Sequence, residues 1–217
     1  VNSKIVNLGL NFSEWINICK EWKDDEWKEV LRLKNNDEKP LHVLRVVKSI
    51  EDVLGKDAML CVDGGDTQAW TDSTYNVDKA GIYMKGGPLG CMGVGVPFAI
   101  GSKVAFPDRQ VALISGDGAI GMNFMEFETA VKHKLPFVSI VCNDQSWGMT
   151  KHQHWINYGK DNTPTGHELP LINFHEIVKA MGGYGEMVVE PDELSPAIER
   201  ACKSNLPALI NVLTDPN

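Results

Sequence analysis

The hydrophobic positions of the chain follow two periodicities. Apolar residues spaced three and four apart predict helices, and short uninterrupted apolar runs predict buried strands. The first helical pattern covers residues 12–34, with a predicted interruption near Asp24 and Asp25, and a second covers residues 40–54. The polar segment 35–40 between them is predicted to be a linker.

From residue 58 onwards, short apolar runs alternate with helical patterns. Strands are predicted at 58–62, 111–115, 137–142, 186–189 and 208–214, and helices at 66–73, 92–105, 123–134, 174–183 and 193–204. Short apolar strands that alternate with helices are typical of a parallel sheet covered on both faces. We therefore predict an α/β fold with a doubly wound, mostly parallel sheet and helices on both faces.

Composition and charge exclude several classes of protein. The 217 residues, 43% of them hydrophobic, are enough to bury a core, and the net charge of -8 disfavours a nucleic-acid binder. No apolar run approaches the roughly 20 residues of a membrane helix, and no secretory signal is visible. The five cysteines are dispersed and form no CxxC pair, which argues against a disulfide framework or a zinc ribbon. We predict a soluble, cytoplasmic protein that binds neither nucleic acid nor membrane.

Three predicted strands end in acidic or glycine-rich sequence. Asp-Gly-Gly-Asp stands at 63–66, Gly-Asp-Gly at 116–118 and Asn-Asp at 143–144. Ligands of parallel sheets bind beyond the carboxyl ends of the strands. The small residues of the second segment, with Ala119 after it, let the backbone approach an anion closely, which favours phosphate.

Asp117 in this segment would repel a phosphate unless a cation lay between them, so it indicates Mg²⁺ or Ca²⁺. Neighbouring strand ends lie about 5 Å apart, which places Asp117 and Asp144 within reach of one hard cation. The carbonyl of Ser146 can add a ligand, and diphosphate oxygens and water would complete an octahedron. For Gly-Asp-Gly taken alone, a plain strand–turn–helix corner is the alternative.

This arrangement resembles the magnesium and diphosphate motif of thiamine-diphosphate-dependent enzymes, in which Gly-Asp-Gly is followed by a helix, an apolar strand and a pair such as Asn-Asp. The resemblance is closest to the branch of acetolactate synthase, benzaldehyde lyase and 2-hydroxyacyl-CoA lyase. It implies that Asp117, Asp144 and the Ser146 carbonyl bind Mg²⁺. Asn is commoner in the family at the position of Asp144, and the additional charge should tighten metal binding and weaken diphosphate binding without Mg²⁺.

Two further segments resemble the same family. Residues 86–101 match its Gly-x-hydrophobic-Gly segment, which implies that the Gly90 carbonyl accepts a hydrogen bond from the aminopyrimidine and that Met92 holds the cofactor bent. Taken alone, Met92 could instead be a core residue and Asp66 a helix N-cap. The resemblance implies cofactor contacts at Gly65, Asp66, Thr67, Gly90, Met92, Gly116, Asp117, Gly118, Ala119, Asp144, Ser146, Trp147 and Gly148.

In the family, the segment after the metal loop lines the substrate pocket. Trp147, Met149 and His152 are therefore candidates for substrate contact, with a surface loop as the alternative for this segment. The resemblance covers residues 40–217, and residues 1–39 are predicted to be the tail of a preceding domain and its linker.

The glutamate that protonates the pyrimidine N1′ lies in the family's N-terminal domain. No catalytic residue is therefore predicted in this chain, and neither Glu126 nor Glu128 is assigned that role. The resemblance implies a homo-oligomer, a dimer or a tetramer, in which an N-terminal pyrimidine-binding domain completes the site. This chain alone is predicted to be inactive.

The implied function is that of a C-terminal thiamine-diphosphate- and Mg²⁺-binding domain. The enzyme would make or break C–C bonds next to a carbonyl, as an acetolactate synthase-like carboligase or decarboxylase of 2-keto acids. The alternative is a lyase of the benzaldehyde or 2-hydroxyacyl-CoA kind, acting on a 2-hydroxy ketone or acyl-CoA. Any use of FAD stays undecided.

Two other classes of function fit less well. An oxidoreductase with a Rossmann site would need GxGxxG after the first strand, where this chain has DGGDTQ. A non-catalytic or regulatory subunit is the other alternative. The intact pair Asp117 and Asp144 argues against loss of metal binding in such a subunit but says nothing of turnover.

Overall fold

The computed structural model of the protein describes residues 11–162 and 164–216. Within this range, all strands pair in parallel in one sheet of order β2-β1-β3-β4-β6-β5. The strands are β1 (Met59–Asp63), β2 (Tyr83–Lys85), β3 (Val111–Gly116), β4 (Val138–Asn143), β5 (Tyr184–Val188) and β6 (Ala208–Leu213).

Helices lie on both faces of this sheet. They are α1 (Ser13–Lys34), α2 (Val43–Leu54), α3 (Asp66–Thr74), α4 (Gly95–Ala105), α5 (Asp117–Met122), α6 (Glu126–Lys132), α7 (Gly148–Tyr158), α8 (Phe174–Ala180) and α9 (Pro191–Ser204). None of these helices, all within the described residues, is both long and apolar enough to cross a membrane.

The side chains of each strand alternate between two hydrophobic cores, as the pleat of a strand requires. Leu60 and Ile114 pack in the core that includes α2 and α9. Cys61 and Leu113, one residue along the same strands, pack in the core that includes α4, α6 and α8. The predicted doubly wound α/β fold is therefore confirmed.

The predicted interruption of the first helix is wrong. α1 runs through Asp24 and Asp25, both of which are exposed to solvent. Lys28 Nζ donates to Asp25 Oδ1 at 2.9 Å, three residues along the helix. Acidic residues on the solvent side of a helix and paired in this way do not end it.

The second helix begins at Val43 and not at the predicted residue 40. Leu41 instead forms an isolated parallel β-bridge with Thr214. The Leu41 carbonyl oxygen accepts a hydrogen bond from the Asp215 amide at 2.9 Å. His42 then caps the helix, because its ring nitrogen accepts from the Leu44 amide at 3.1 Å.

Further element boundaries differ from the prediction. The predicted helix 92–105 begins at Gly95, and the predicted helix 123–134 is shortened to α6. β2, α5 and α7 were not predicted. β2 has only three residues and lies at the sheet edge, so its sequence carries little apolar pattern.

Gly185 in β5 offers a strong test of the packing. A Cβ at this position would lie 2.2 Å from the carbonyl oxygen of His175, a backbone atom that cannot rotate away. We expect Gly185→Ala to lower the free energy of unfolding by about 2–3 kcal/mol in urea denaturation. The matched control is Gly101→Ala in α4, where a Cβ would meet nothing within 4 Å, and which should be neutral or slightly stabilising. Equal effects of the two substitutions would contradict the packing described for β5.

Candidate functional site

The carboxyl ends of β1, β3 and β4 border a cavity of about 310 Å³. Ligands of doubly wound sheets bind at this edge. All the residues that the sequence predicted to contact cofactor or substrate line this cavity: Gly65, Asp66, Thr67, Gly90, Met92, Gly116, Asp117, Gly118, Ala119, Asp144, Ser146, Trp147, Gly148, Met149 and His152. The fold thus brings together segments that lie far apart in the sequence.

Asp117 begins α5 directly after β3, although the sequence predicted a helix start at residue 123. Its Oδ1 accepts from the Gly118 amide at 2.7 Å, whereas its Oδ2 is buried without a hydrogen-bond partner among the described residues. Burial raises the pKa of Asp117 to about 6, and the amides of Gly118 and Gln145 oppose this rise. An unpartnered carboxylate oxygen is suited to bind a hard cation.

Asp144 follows β4, next to β3 in the sheet. Its Oδ1 accepts from the Ser146 amide at 3.1 Å. Burial, and then the charge of Asp117, raises the pKa of Asp144 to about 7. The charge of Asp117 therefore disfavours ionisation of Asp144, and a cation shared by both carboxylates would remove this repulsion.

The turn after β4 sends Asn143 and Asp144 in different directions. Asn143 is fully buried, and its Nδ2 donates to Asn211 Oδ1 at 3.1 Å. Gln145 then adopts φ = 58°, in the left-handed region, as the chain leaves the strand. Asn143 therefore fastens β4 to β6, and Asp144 is left to face the cavity.

The side chains of the cavity fit a metal ion that takes only some of its ligands from the protein and the others from a bound molecule. In the part of the chain that the structure describes, no three His, Cys, Asp or Glu side chains are grouped so as to hold a metal ion. Asp117, Asp144 and the Ser146 carbonyl would leave the remaining positions of an octahedral Mg²⁺ to ligand oxygens and water. Such a site is suited to Mg²⁺ that arrives with a diphosphate.

Two glycines let the walls of the cavity approach closely. A Cβ on Gly118 would lie 2.5 Å from the indole ring of Trp147. A Cβ on Gly148 would lie 2.6 Å from Asp66 Oδ2 and 3.1 Å from Asp144 Oδ2. A side chain at either position would displace a ring or a carboxylate of the site.

The loop before α4 carries Gly90 and Met92. Met92 is 42% exposed and lines the cavity, so it is not a core methionine. Asp63, at the end of β1, holds this loop: its Oδ1 accepts from the Gly93 amide at 3.2 Å and its Oδ2 from the Gly95 amide at 2.7 Å. Burial raises the pKa of Asp63, and these amides oppose the rise.

The part that Asp63 plays was not predicted, although the acidic end of the first strand was a signal for it. His42, Trp70, Thr214 and Asp215, which also line the cavity, were not predicted either. The rings of His42 and Trp70 meet edge to face, with centroids 4.9 Å apart. A contact between residues so distant in the chain leaves no local pattern to detect.

The segment that follows Trp147 is the helix α7 and not the surface loop given as the alternative. It presents Met149 and His152 to the cavity. The N-cap interpretation of Asp66 is also wrong, because Gly65 is the cap of α3 and no side-chain cap bond forms. The carboxylate of Asp66 instead contacts the His152 ring.

Comparison with known sequences adds independent information. The family described as "Thiamine pyrophosphate enzyme, C-terminal TPP binding domain" matches residues 63–212. The acetolactate synthase large subunit IlvG of Mycobacterium tuberculosis is 40% identical over 182 residues, which is 84% of this chain and 33% of that protein. The 2-hydroxyacyl-CoA lyase of Oryza sativa subsp. japonica is 32% identical over 211 residues, 93% of this chain and 36% of the lyase. The chain spans about a third of the length of these relatives.

Comparison with solved structures supports the fold. The thiamine diphosphate-dependent 4-hydroxybenzoylformate decarboxylase of Rhodococcus jostii RHA1 superposes with a TM-score of 0.76. The sequence identity is 24%, and the match covers 83% of this chain and 34% of the decarboxylase chain. At this identity, the likeness shows a shared fold and no more.

Proposed function

The chain belongs to the thiamine pyrophosphate enzymes and contains their C-terminal TPP-binding domain, and from this premise we propose that its cavity binds thiamine diphosphate together with Mg²⁺. The observation that carries the proposal is the pair of Asp117, which is buried, and Asp144, which is half-buried, at neighbouring strand ends. Among the described residues, Asp117 Oδ2 has no hydrogen-bond partner. The charge of Asp117 raises the pKa of Asp144, and a cation shared by the two carboxylates would remove this repulsion.

Each part of the cavity has a proposed task. Asp117, Asp144 and the Ser146 carbonyl hold Mg²⁺, and the backbone at 65–67 together with residues 116–119 contacts the diphosphate. Met92 supports the bent cofactor from the loop that Asp63 fastens. When bound, the cofactor supplies an electron sink for a carbanion next to a carbonyl, and the protein supplies its orientation and a pocket from which water is excluded.

The proposed reaction is acetolactate synthase-like carboligation or decarboxylation of 2-keto acids. It is favoured over the alternative by the 40% identity to an acetolactate synthase large subunit, against 32% for a 2-hydroxyacyl-CoA lyase. The lyase reaction is the second candidate, because the similarity to the 2-hydroxyacyl-CoA lyase extends over 93% of the chain.

The activating glutamate is proposed to come from elsewhere. Among the described residues, no glutamate lines the cavity: Glu126 accepts a hydrogen bond from the Thr129 hydroxyl at 2.8 Å, and Glu128 is exposed. We propose that an N-terminal pyrimidine-binding domain completes the site within a cytoplasmic homo-oligomer. This chain, supplied with thiamine diphosphate, Mg²⁺ and pyruvate, should release no CO₂ and form no acetolactate, and measurable turnover would contradict this part of the proposal.

Thermal unfolding tests the choice of cofactor. Thiamine diphosphate with Mg²⁺, at about 100 times its Kd, should stabilise the chain by about 2.7 kcal/mol, which raises the Tm by a few degrees. Thiamine lacks the diphosphate and should leave the Tm unchanged. NAD⁺ tests the rival oxidoreductase function, and a shift with NAD⁺ but none with thiamine diphosphate would overturn the proposal.

A further inference from the structure

Asp66 places a third carboxylate in a cavity that is proposed to bind an anion. Asp66 is the first residue of α3. A Cβ placed on Gly148 would lie 2.6 Å from Asp66 Oδ2 and 3.1 Å from Asp144 Oδ2. The two carboxylates are therefore close neighbours, and the charge of Asp66 contributes to the raised pKa of Asp144. Asp66 is not a proposed Mg²⁺ ligand, so its charge needs another partner if a diphosphate is to bind beside it.

His152 supplies this partner from α7. Its Nδ1 lies 2.6 Å from Asp66 Oδ2, and its Nε2 lies 3.1 Å from the carbonyl oxygen of Pro216. Both partners are acceptors, so the ring donates to both only when each nitrogen carries a hydrogen, and that form of the ring is a cation. The neighbouring Lys151 contacts the same carbonyl, so α7 brings two basic side chains to Pro216.

We propose that His152 is a positioning residue that holds the Asp66 carboxylate and offsets its charge, so that a diphosphate can bind at the start of α3. A helix N-terminus attracts anions, and an unpaired carboxylate there would compete with the diphosphate. The proposal rests on the proposed function of the cavity and deepens it. The proposal assigns a role to the pair of Asp66 and His152, which Mg²⁺ binding by Asp117 and Asp144 does not require.

A purely mechanical role makes a different prediction. The contacts of His152 join α3, α7 and the segment at Pro216, and such a link would be broken equally by removing either His152 or Asp66. Charge compensation is asymmetric. Removal of His152 leaves an unpaired carboxylate that repels the diphosphate, whereas removal of the Asp66 charge takes the repulsion away.

Calorimetric titration of thiamine diphosphate at fixed Mg²⁺ distinguishes these roles. We expect His152→Gln to raise the Kd about tenfold, and this effect should shrink as salt is added, because salt screens exposed charges. Asp66→Asn should bind at least as tightly as the unsubstituted chain. In the Asp66→Asn background, the added His152→Gln should change the Kd by less than about twofold. The control is His154→Gln on the same helix, whose ring packs on Tyr158 and does not line the cavity.

The outcomes separate this inference from the function on which it rests. Equal losses from His152→Gln in both backgrounds, or a loss from Asp66→Asn as large as that from His152→Gln, would overturn charge compensation while leaving the cofactor site intact. Absence of Mg²⁺-dependent binding in the unsubstituted chain would overturn the proposed function and this inference together.

Discussion

Asp117→Asn is expected to weaken Mg²⁺-dependent binding of thiamine diphosphate about a hundredfold or more and, at the same time, to stabilise the ligand-free chain. Loss of even an outer partner of a metal ligand costs about 10–100-fold in metal affinity, and Asp117 is proposed to touch the metal directly. The substitution also removes a buried charge whose Oδ2 has no hydrogen-bond partner among the described residues. Calorimetry measures the first effect and thermal or urea unfolding the second.

The pH dependence of the stabilising effect follows from the raised pKa. The folded-state pKa of Asp117 is about 6, above the ordinary value of 3.8, so its ionisation opposes folding and does so increasingly as the pH rises from about 4 to about 6. Asn cannot ionise, so Asp117→Asn should gain about 1–2 kcal/mol at about pH 8 and less at about pH 5.

The matched control is Asp24→Asn in α1, which replaces an exposed carboxylate outside the cavity. It should change neither binding nor unfolding. If Asp117→Asn destabilised the ligand-free chain at both pH values, the account in which burial disfavours the ionised Asp117 carboxylate would be wrong.

Asp63→Ala is expected to lower the free energy of unfolding by about 3–5 kcal/mol. Asp63 is 2% exposed and accepts hydrogen bonds from the amides of Gly64, Gly93 and Gly95. Each buried amide left without an acceptor costs about 1–3 kcal/mol, and the carboxylate also faces the N-terminus of α4. Urea unfolding of the ligand-free chain measures the effect.

The same substitution should also weaken binding of thiamine diphosphate, because the loop with Gly90 and Met92 loses its attachment to β1. Asn123→Ala provides a graded comparison. Asn123 is exposed, and its Nδ2 donates a hydrogen bond of 2.6 Å to the Gly93 carbonyl. Loss of this bond should lower the free energy of unfolding by only about 1 kcal/mol. An effect of Asp63→Ala no larger than that of Asn123→Ala would contradict the role of Asp63.

Much of the sheet could be predicted from the sequence, because buried parallel strands are short apolar runs and each side of the strand meets a core. β3 and β4 lie within one residue of the predicted runs at each end. β2 escaped prediction because an edge strand of three residues has little apolar pattern. α7 escaped it because its sequence, GMTKHQHWINY, has a polar majority, and its place in the fold depends on tertiary contacts such as that of His152 with Asp66.

The candidate site was predictable where its residues follow strands, since strand order brings their ends together. The positions of Asp117 and Asp144 at the cavity are of this kind. The wall formed by His42, Trp70 and Thr214 was not, because it arises where α2, α3 and the end of β6 meet in space. The pairing of Asp66 with His152 likewise joins residues 86 positions apart, which no local motif records.

The most direct test of the central claim is calorimetric titration of thiamine diphosphate into this chain, once with Mg²⁺ and once with EDTA. If Asp117 and Asp144 hold a metal that bridges to the diphosphate, binding should be measurable with Mg²⁺ and lost in EDTA, where the carboxylates repel the ligand directly. Binding of equal affinity in EDTA, or no binding with Mg²⁺, would contradict the account.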